Sequence, residues 1–219
     1  MFVQIQEYRS KIKHFLTVKF GNTNSESYVW QAIIKHMKLA VKILKWIGIV
    51  IASLFIISFV LPGKSHVERT RVIKADIPIV FNLVNDLHLW KKWSPWYRLD
   101  TAATMEYYGG GIGKGSGYSW SSNNKNVGKG KMMVTDVKDN EYINSDLTFE
   151  GMGTSKVKYT FSNEADGTKV TWSMDSYSSE LPVYMRPMSK YFNLFMDKMI
   201  GPDFEKGLQN MDSVILGKK

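Results

Sequence analysis

Asp86 and His88 place a carboxylate and an imidazole two residues apart, and such a pair can serve as general acid and base. The same spacing also suits a capping carboxylate or a solvated pair beside a short helix, so both roles stay open. The other histidines, His14, His36 and His66, are scattered and form no His-Glu-x-x-His spacing. No metal site is therefore expected. With no cysteine in the chain, a thiolate nucleophile, a thiolate zinc site, an iron–sulfur cluster and a disulfide framework are all excluded. The glycine-rich run Gly109–Gly117 invites a phosphate-loop reading, but Gly115 follows Lys114 where a Ser or Thr is needed, and no G-x-G-x-x-G register fits. It reads instead as a hairpin or the rim of a pocket. Asp146, Glu150 and Asp175 fall on candidate strands, where Asp146 and Asp175 alternate with apolar neighbours and so belong to a wet face. Nothing in these spacings requires covalent chemistry or a cofactor.

Charge narrows the partners. Residues 1–61 hold eight Lys/Arg and two acids and residues 64–219 hold twenty-one and eighteen, so six of the nine net positive charges lie in the N-terminal quarter. The remainder is spread without a basic cluster or a nucleic-acid motif, and no nucleic acid is expected as a partner.

From Trp46 to Leu61 sixteen residues carry no charge, and at about 1.5 Å per residue they would span roughly 24 Å of helix. Extended back to Leu39 the segment has twenty-three residues, with Lys42 and Lys45 able to snorkel and Trp46 at the interface. Residues 39–61 are expected to form a single membrane span. A cleaved signal is disfavoured because the run ends in Phe59-Val60-Leu61-Pro62 without a small-x-small cleavage pattern. The basic tail 1–38 predicts a cytoplasmic N-terminus and an extracytoplasmic domain. Met37-Lys38-Leu39 resembles an ordinary signal-anchor start, so residues 1–36 read equally as an upstream extension, a tail on an anionic leaflet or a poorly ordered segment. Residues 62–65 form a linker.

The domain at 66–217 opens with an alternating, β-branched strand over 66–75 and a Pro-led amphipathic helix, followed by a tryptophan-rich short helix stopped at Pro95. Period-two segments near 104–108, 115–122, 128–138, 141–150, 154–163 and 168–177 are separated by Gly, Asn and Asp and predict an antiparallel meander. Val157, Tyr159, Phe161, Val170, Trp172 and Met174 mark its apolar face. Three- and four-residue steps from about Arg186 to Leu216 predict one long C-terminal helix, kinked or interrupted at Gly201-Pro202. The class is α+β, in the order β-α-α-β6-α.

That order, with an Arg71-x-Ile73-x-Ala75 strand, Pro78 and Phe81, Asp86 and Trp90, and then Trp93-Ser94-Pro95-Trp96, resembles the START-like helix-grip superfamily. Within it the chain is similar to the SRPBCC group of polyketide cyclase, dehydrase-like and lipid-transport proteins. Trp120, Val127–Gly130 and Gly167–Trp172 strengthen the likeness, which covers roughly residues 66–217. The resemblance implies a sheet wrapped on the C-terminal helix, with a pocket between them for a hydrophobic small molecule or lipid.

Met and large aromatics from both layers suit such an adaptable apolar pocket, and they suit a close-packed core as well. The candidate ligand-binding residues are Trp90, Trp93 and Trp96 from the short helices and Trp120, Met133, Phe149, Tyr159, Phe161, Trp172 and Met174 from the sheet. Phe192, Phe195, Met196 and Met199 complete the set from the C-terminal helix. Three functions fit: membrane-anchored binding or transport of a hydrophobic molecule, a polyketide cyclase- or dehydratase-like enzyme using Asp86 and His88, and a stress-related protein-interaction module.

Overall fold

The computed structural model describes residues 7, 8, 10–12, 14, 15, 18 and 23–217, so the first part of the basic tail falls largely outside it. Two compact units divide at residue 57. In the first, helix α1 runs from Thr23 to Ile57, beginning upstream of the expected tail boundary at residue 38 and ending before Phe59-Val60-Leu61. Its stretch Tyr28–Ile57 is long and apolar enough to cross a membrane.

The second unit begins with strand β1 (Lys64–Ile73), then helix α2 (Ile77–Asn85), a 3₁₀ turn at Leu87–Leu89, and short helices α3 (Trp90–Trp93) and α4 (Pro95–Leu99). Pro78 enters α2 in its first turn, where a missing N–H costs no helix bond. Val80, Phe81, Leu83 and Val84 then bury one stripe of that helix. Asp86 stops it in extended backbone. The last carbonyls of α2 are taken up from above: the Trp90 indole donates to Val84 O and the Trp93 indole to Leu83 O, both at 2.8 Å. Ser94 turns extended ahead of Pro95, as the residue before proline prefers, and so ends α3.

Six strands follow: β2 (Thr104–Tyr108), β3 (Gly117–Ser121), β4 (Lys129–Lys138), β5 (Tyr142–Phe149), β6 (Gly153–Glu164) and β7 (Gly167–Tyr177). All pair antiparallel in the order β1-β7-β6-β5-β4-β3-β2, which is a meander closed by β1 against β7. Alternation puts Val157, Tyr159 and Phe161 of β6 and Val170, Trp172 and Met174 of β7 on the buried face, with Lys156 and Lys158 on the other.

The C-terminal helix is two helices, α5 (Arg186–Asn193) and α6 (Met196–Ile215). The break lies at Leu194–Phe195 rather than at Gly201-Pro202, which α6 passes through. Arg69 of β1 explains the continuity. Its guanidinium donates to both oxygens of Asp197 (2.7 and 3.1 Å) and to Glu205 (2.6 Å), bridging about one turn on either side of Pro202. A Cβ at Gly201 would lie 2.0 Å from Arg69 Nη2, so only glycine lets the guanidinium lie against the helix there. The fold is the helix grip, an open seven-stranded antiparallel sheet with a long helix packed on it. Phe204, Leu208 and Met211 of α6 complete the core beneath the sheet.

Candidate functional site

The inner face of the sheet carries a continuous aromatic block. Tyr159 and Trp172 are paired across β6 and β7 and stack with ring centroids 5.0 Å apart. Phe204 of α6 stacks on the other side of Trp172 at 4.0 Å and 8°. Trp93 meets Trp172 edge-on at 5.8 Å, Trp90 meets Trp93 at 4.9 Å, and Trp96 meets Trp172 at 5.7 Å. Trp90, Trp93, Tyr159, Phe161, Trp172 and Met174 are all buried.

Most polar atoms in this block are satisfied. Asn210 of α6 donates to Trp93 O at 2.9 Å, and the Trp96 indole donates to Asp203 at 3.2 Å. The Tyr159 hydroxyl and the Trp172 indole N–H, in contrast, are buried and have no partner. An orphan group of this kind is destabilising by about 1–3 kcal/mol, and native interiors hold few of them. Burial raises the Tyr159 and Tyr118 phenols above their ordinary pKa, and neighbouring tyrosines add to it, so both rings remain neutral. The interior thus offers aromatic surface and two uncharged donors.

Toward β3–β5 the cover thins. Tyr118, Trp120, Leu147 and Phe149 of the inner face are only half-buried, as is Met196 of α6. Trp120 and Phe149 meet edge-on at 5.4 Å, and Tyr118 lies 5.8 Å from Trp120 and 6.0 Å from Trp90. This row lies at the edge of the buried block, between it and solvent.

The remaining candidates stand apart from the block. Met133 is 43% exposed because Met132 and Val134 take the inner face of β4. It sits instead on the outer face, paired across the strands with Asp146, which is bonded to Lys156. Phe192 of α5 is exposed, and so are Phe195 and Met199, which lie beyond the break at Leu194–Phe195. Phe204 and Asn210 also belong to the aromatic block and were not among the candidate ligand-binding residues. Phe204 was legible in the helical stripe, whereas the role of Asn210 depends on where α3 ends.

Asp86 and His88 form a local structure. One Asp86 oxygen accepts from the His88 backbone N–H at 2.9 Å and meets His88 Nδ1 at 3.0 Å, which caps the 3₁₀ turn. The His88 ring is half-exposed and stacks on Tyr107 at 4.6 Å. Gly111 lies under it with φ +77°, and a Cβ there would sit 2.1 Å from the imidazole. The glycine run is therefore the β2–β3 connection folded against His88, held by Ser116 Oγ donating to Gly109 O and Ile112 O.

This architecture and its sequence can be set beside known proteins. Residues 64–215 match the family described as polyketide cyclase/dehydrase and lipid transport. The chain belongs to that family. No curated protein matches the sequence significantly. A solved structure of a protein of unknown function from Staphylococcus aureus is similar over 70% of this chain and 94% of that one, with 15% identity and a TM-score of 0.54. CalU16 from Micromonospora echinospora aligns over 71% and 84% of the two chains at 13% identity and a TM-score of 0.45. A protein from Mycobacterium smegmatis, Ms6760, aligns over 69% and 91% at 14% identity and 0.46. The Staphylococcus likeness concerns the fold alone. Membership of the polyketide cyclase/dehydrase and lipid transport family makes this a hydrophobic ligand-binding fold.

Proposed function

We propose that the domain binds a lipid or another hydrophobic small molecule with one polar end, and that residues 39–61 anchor it to a membrane with which the ligand is exchanged. The observation that carries this reading is the pair of unpartnered buried donors, Tyr159 Oη and Trp172 Nε1, within an otherwise apolar aromatic block. A ligand oxygen would satisfy them, and its hydrocarbon would lie along the half-buried rim at Tyr118, Trp120 and Phe149. Binding requires local opening of the stacked Trp172–Phe204 pair, since those rings now fill the space between sheet and helix. The apolar α1 and the basic residues before it support anchoring, with the N-terminus cytoplasmic and the domain outside.

The test is native mass spectrometry and lipid extraction on the full chain purified in detergent, followed by displacement of an apolar fluorophore with the extracted fraction. A ligand of defined mass that competes with the fluorophore is the expected result. An apo mass together with no fluorophore binding would refute the proposal.

A further inference from the structure

Helix α5 is inside out. Its polar side chains face the domain: Arg186 donates to Leu181 O (2.9 Å) and Ser179 O (3.0 Å), Ser189 to Ser178 Oγ (2.8 Å), and Asn193 to Ser178 Oγ and Pro62 O (both 3.2 Å). Lys190 Nζ donates to Ser58 O at 2.9 Å. None of its residues is buried. Met188 and Phe192 of α5, with Phe195 and Met199 just beyond the break that ends it, are spaced four, three and four apart and form an outward stripe in which each is 53–64% exposed. An ordinary surface helix has the opposite arrangement, and a contiguous apolar face in contact with water marks a surface that something covers.

We propose that this stripe is a membrane-contacting surface that dips into the head-group and acyl boundary of the bilayer. The proposal rests on the reading of residues 39–61 as an anchor. Chain continuity names the occupant: Ser58 directly follows Ile57, the last residue of α1, and Pro62 is four residues further on. Lys190 and Asn193 grip these two carbonyls, so α5 is tied to the chain where the apolar segment ends. Five residues reach at most about 18 Å even when fully extended, which is less than the thickness of one leaflet with its head groups. Phe59 and Val60, between the two grips, are exposed and apolar as well. Met and Phe on the outward side, with Lys198 exposed beside them, match an interfacial surface. The stripe would hold the domain against the membrane from which it loads.

Because the chain has no cysteine, a single label can be placed anywhere. The full chain is reconstituted in phosphatidylethanolamine/phosphatidylglycerol vesicles with an environment-sensitive fluorophore on Met188→Cys, Phe192→Cys or Phe195→Cys. Lys158→Cys on the outer sheet face is the solvent control, and Val50→Cys reports on α1. Nitroxide-bearing lipids serve as the quencher. We expect the labels at 188, 192 and 195 to be blue-shifted and quenched severalfold more than the label at 158. A quenched label at 50 with these three labels no different from 158 would overturn the membrane surface and leave the anchor standing. An unquenched label at 50 would remove the anchor, and this proposal with it. Shielding of the labels at 188, 192 and 195 by energy transfer between copies, without lipid quenching, would assign the stripe to a second copy of the chain and overturn the proposal.

Discussion

Tyr159 and Trp172 lie opposite each other on β6 and β7, and each buries a polar atom without a partner. Tyr159→Phe removes one orphan while keeping the ring that stacks on Trp172. The ligand-free variant should be more stable by about 1 kcal/mol in urea titration, because an unsatisfied buried hydroxyl is destabilising by that order. Its affinity for the co-purifying ligand should fall about tenfold, the equivalent of one hydrogen bond near 1.4 kcal/mol. Stability and binding therefore move in opposite directions. A variant that loses stability as well would mean that the hydroxyl is already satisfied in the empty domain. Asp86 and His88 make the contrasting case, since their polar atoms face each other across a capped turn.

Two cross-strand pairs at the scale of the elements place an aromatic ring over a glycine: Tyr108 opposite Gly117, and Trp120 opposite Gly130. A Cβ at Gly130 would lie 2.4 Å from Thr148 O and 2.5 Å from the Trp120 ring. Gly130→Ala should therefore displace Trp120 from the rim and destabilise the domain by about 1–3 kcal/mol, read from the denaturation midpoint. The grip of β1 on α6 is a different device. Arg69 has its pKa raised by hydrogen bonds from its side chain to Asp197 and then Glu205, and it holds both acids in a fork that lysine cannot reproduce. Arg69→Lys should speed amide hydrogen exchange in residues 197–205 and leave the β6–β7 ladder unchanged. Unaltered exchange would show that Phe204, Leu208 and Met211 hold the helix without it.

The whole molecule should lose stability in acid. Asp197 is held below its ordinary pKa by hydrogen bonds from Arg69. Burial pushes Asp175 up, but hydrogen bonds from His66 and Lys64 outweigh it and the net shift is downward. A carboxyl that titrates lower when folded binds fewer protons than the unfolded chain between the two values, so stability rises with pH across that window. The contribution is complete above about pH 4, the unfolded Asp range, and disappears as pH falls through the lower folded values. Urea midpoints measured from pH 6 to pH 2.5 should stay level and then drop. With Asp197→Asn the drop should be smaller.

How much of this was legible in the chain depends on the range of the interaction. Period-two alternation names the inner face of β6 and β7, Pro78 marks where a helix begins and Pro95 where one stops, because each signal is carried by neighbours along the sequence. The charge of the tail, the apolar run at 46–61 and the absence of cysteine were likewise fixed by residue type alone. Met133 shows the first limit: consecutive residues of β4, Met132 and Met133, are both methionine, and only pairing with Leu147 and Asp146 decides which one turns inward. Pro202 shows the second, since local sterics favour an interruption, yet α6 runs through it, with Arg69, 133 positions earlier in the chain, bonded to the helix on both sides. The stripe at Met188, Phe192, Phe195 and Met199 shows the third. Helical spacing reveals that these residues share a face, but whether that face looks into the core or away from it is set by the partners of Lys190 and Asn193, more than 130 residues distant. Sequence determined the strands, the helical segments and their apolar faces, while tertiary contacts decided where the C-terminal helix breaks and which of those faces were buried.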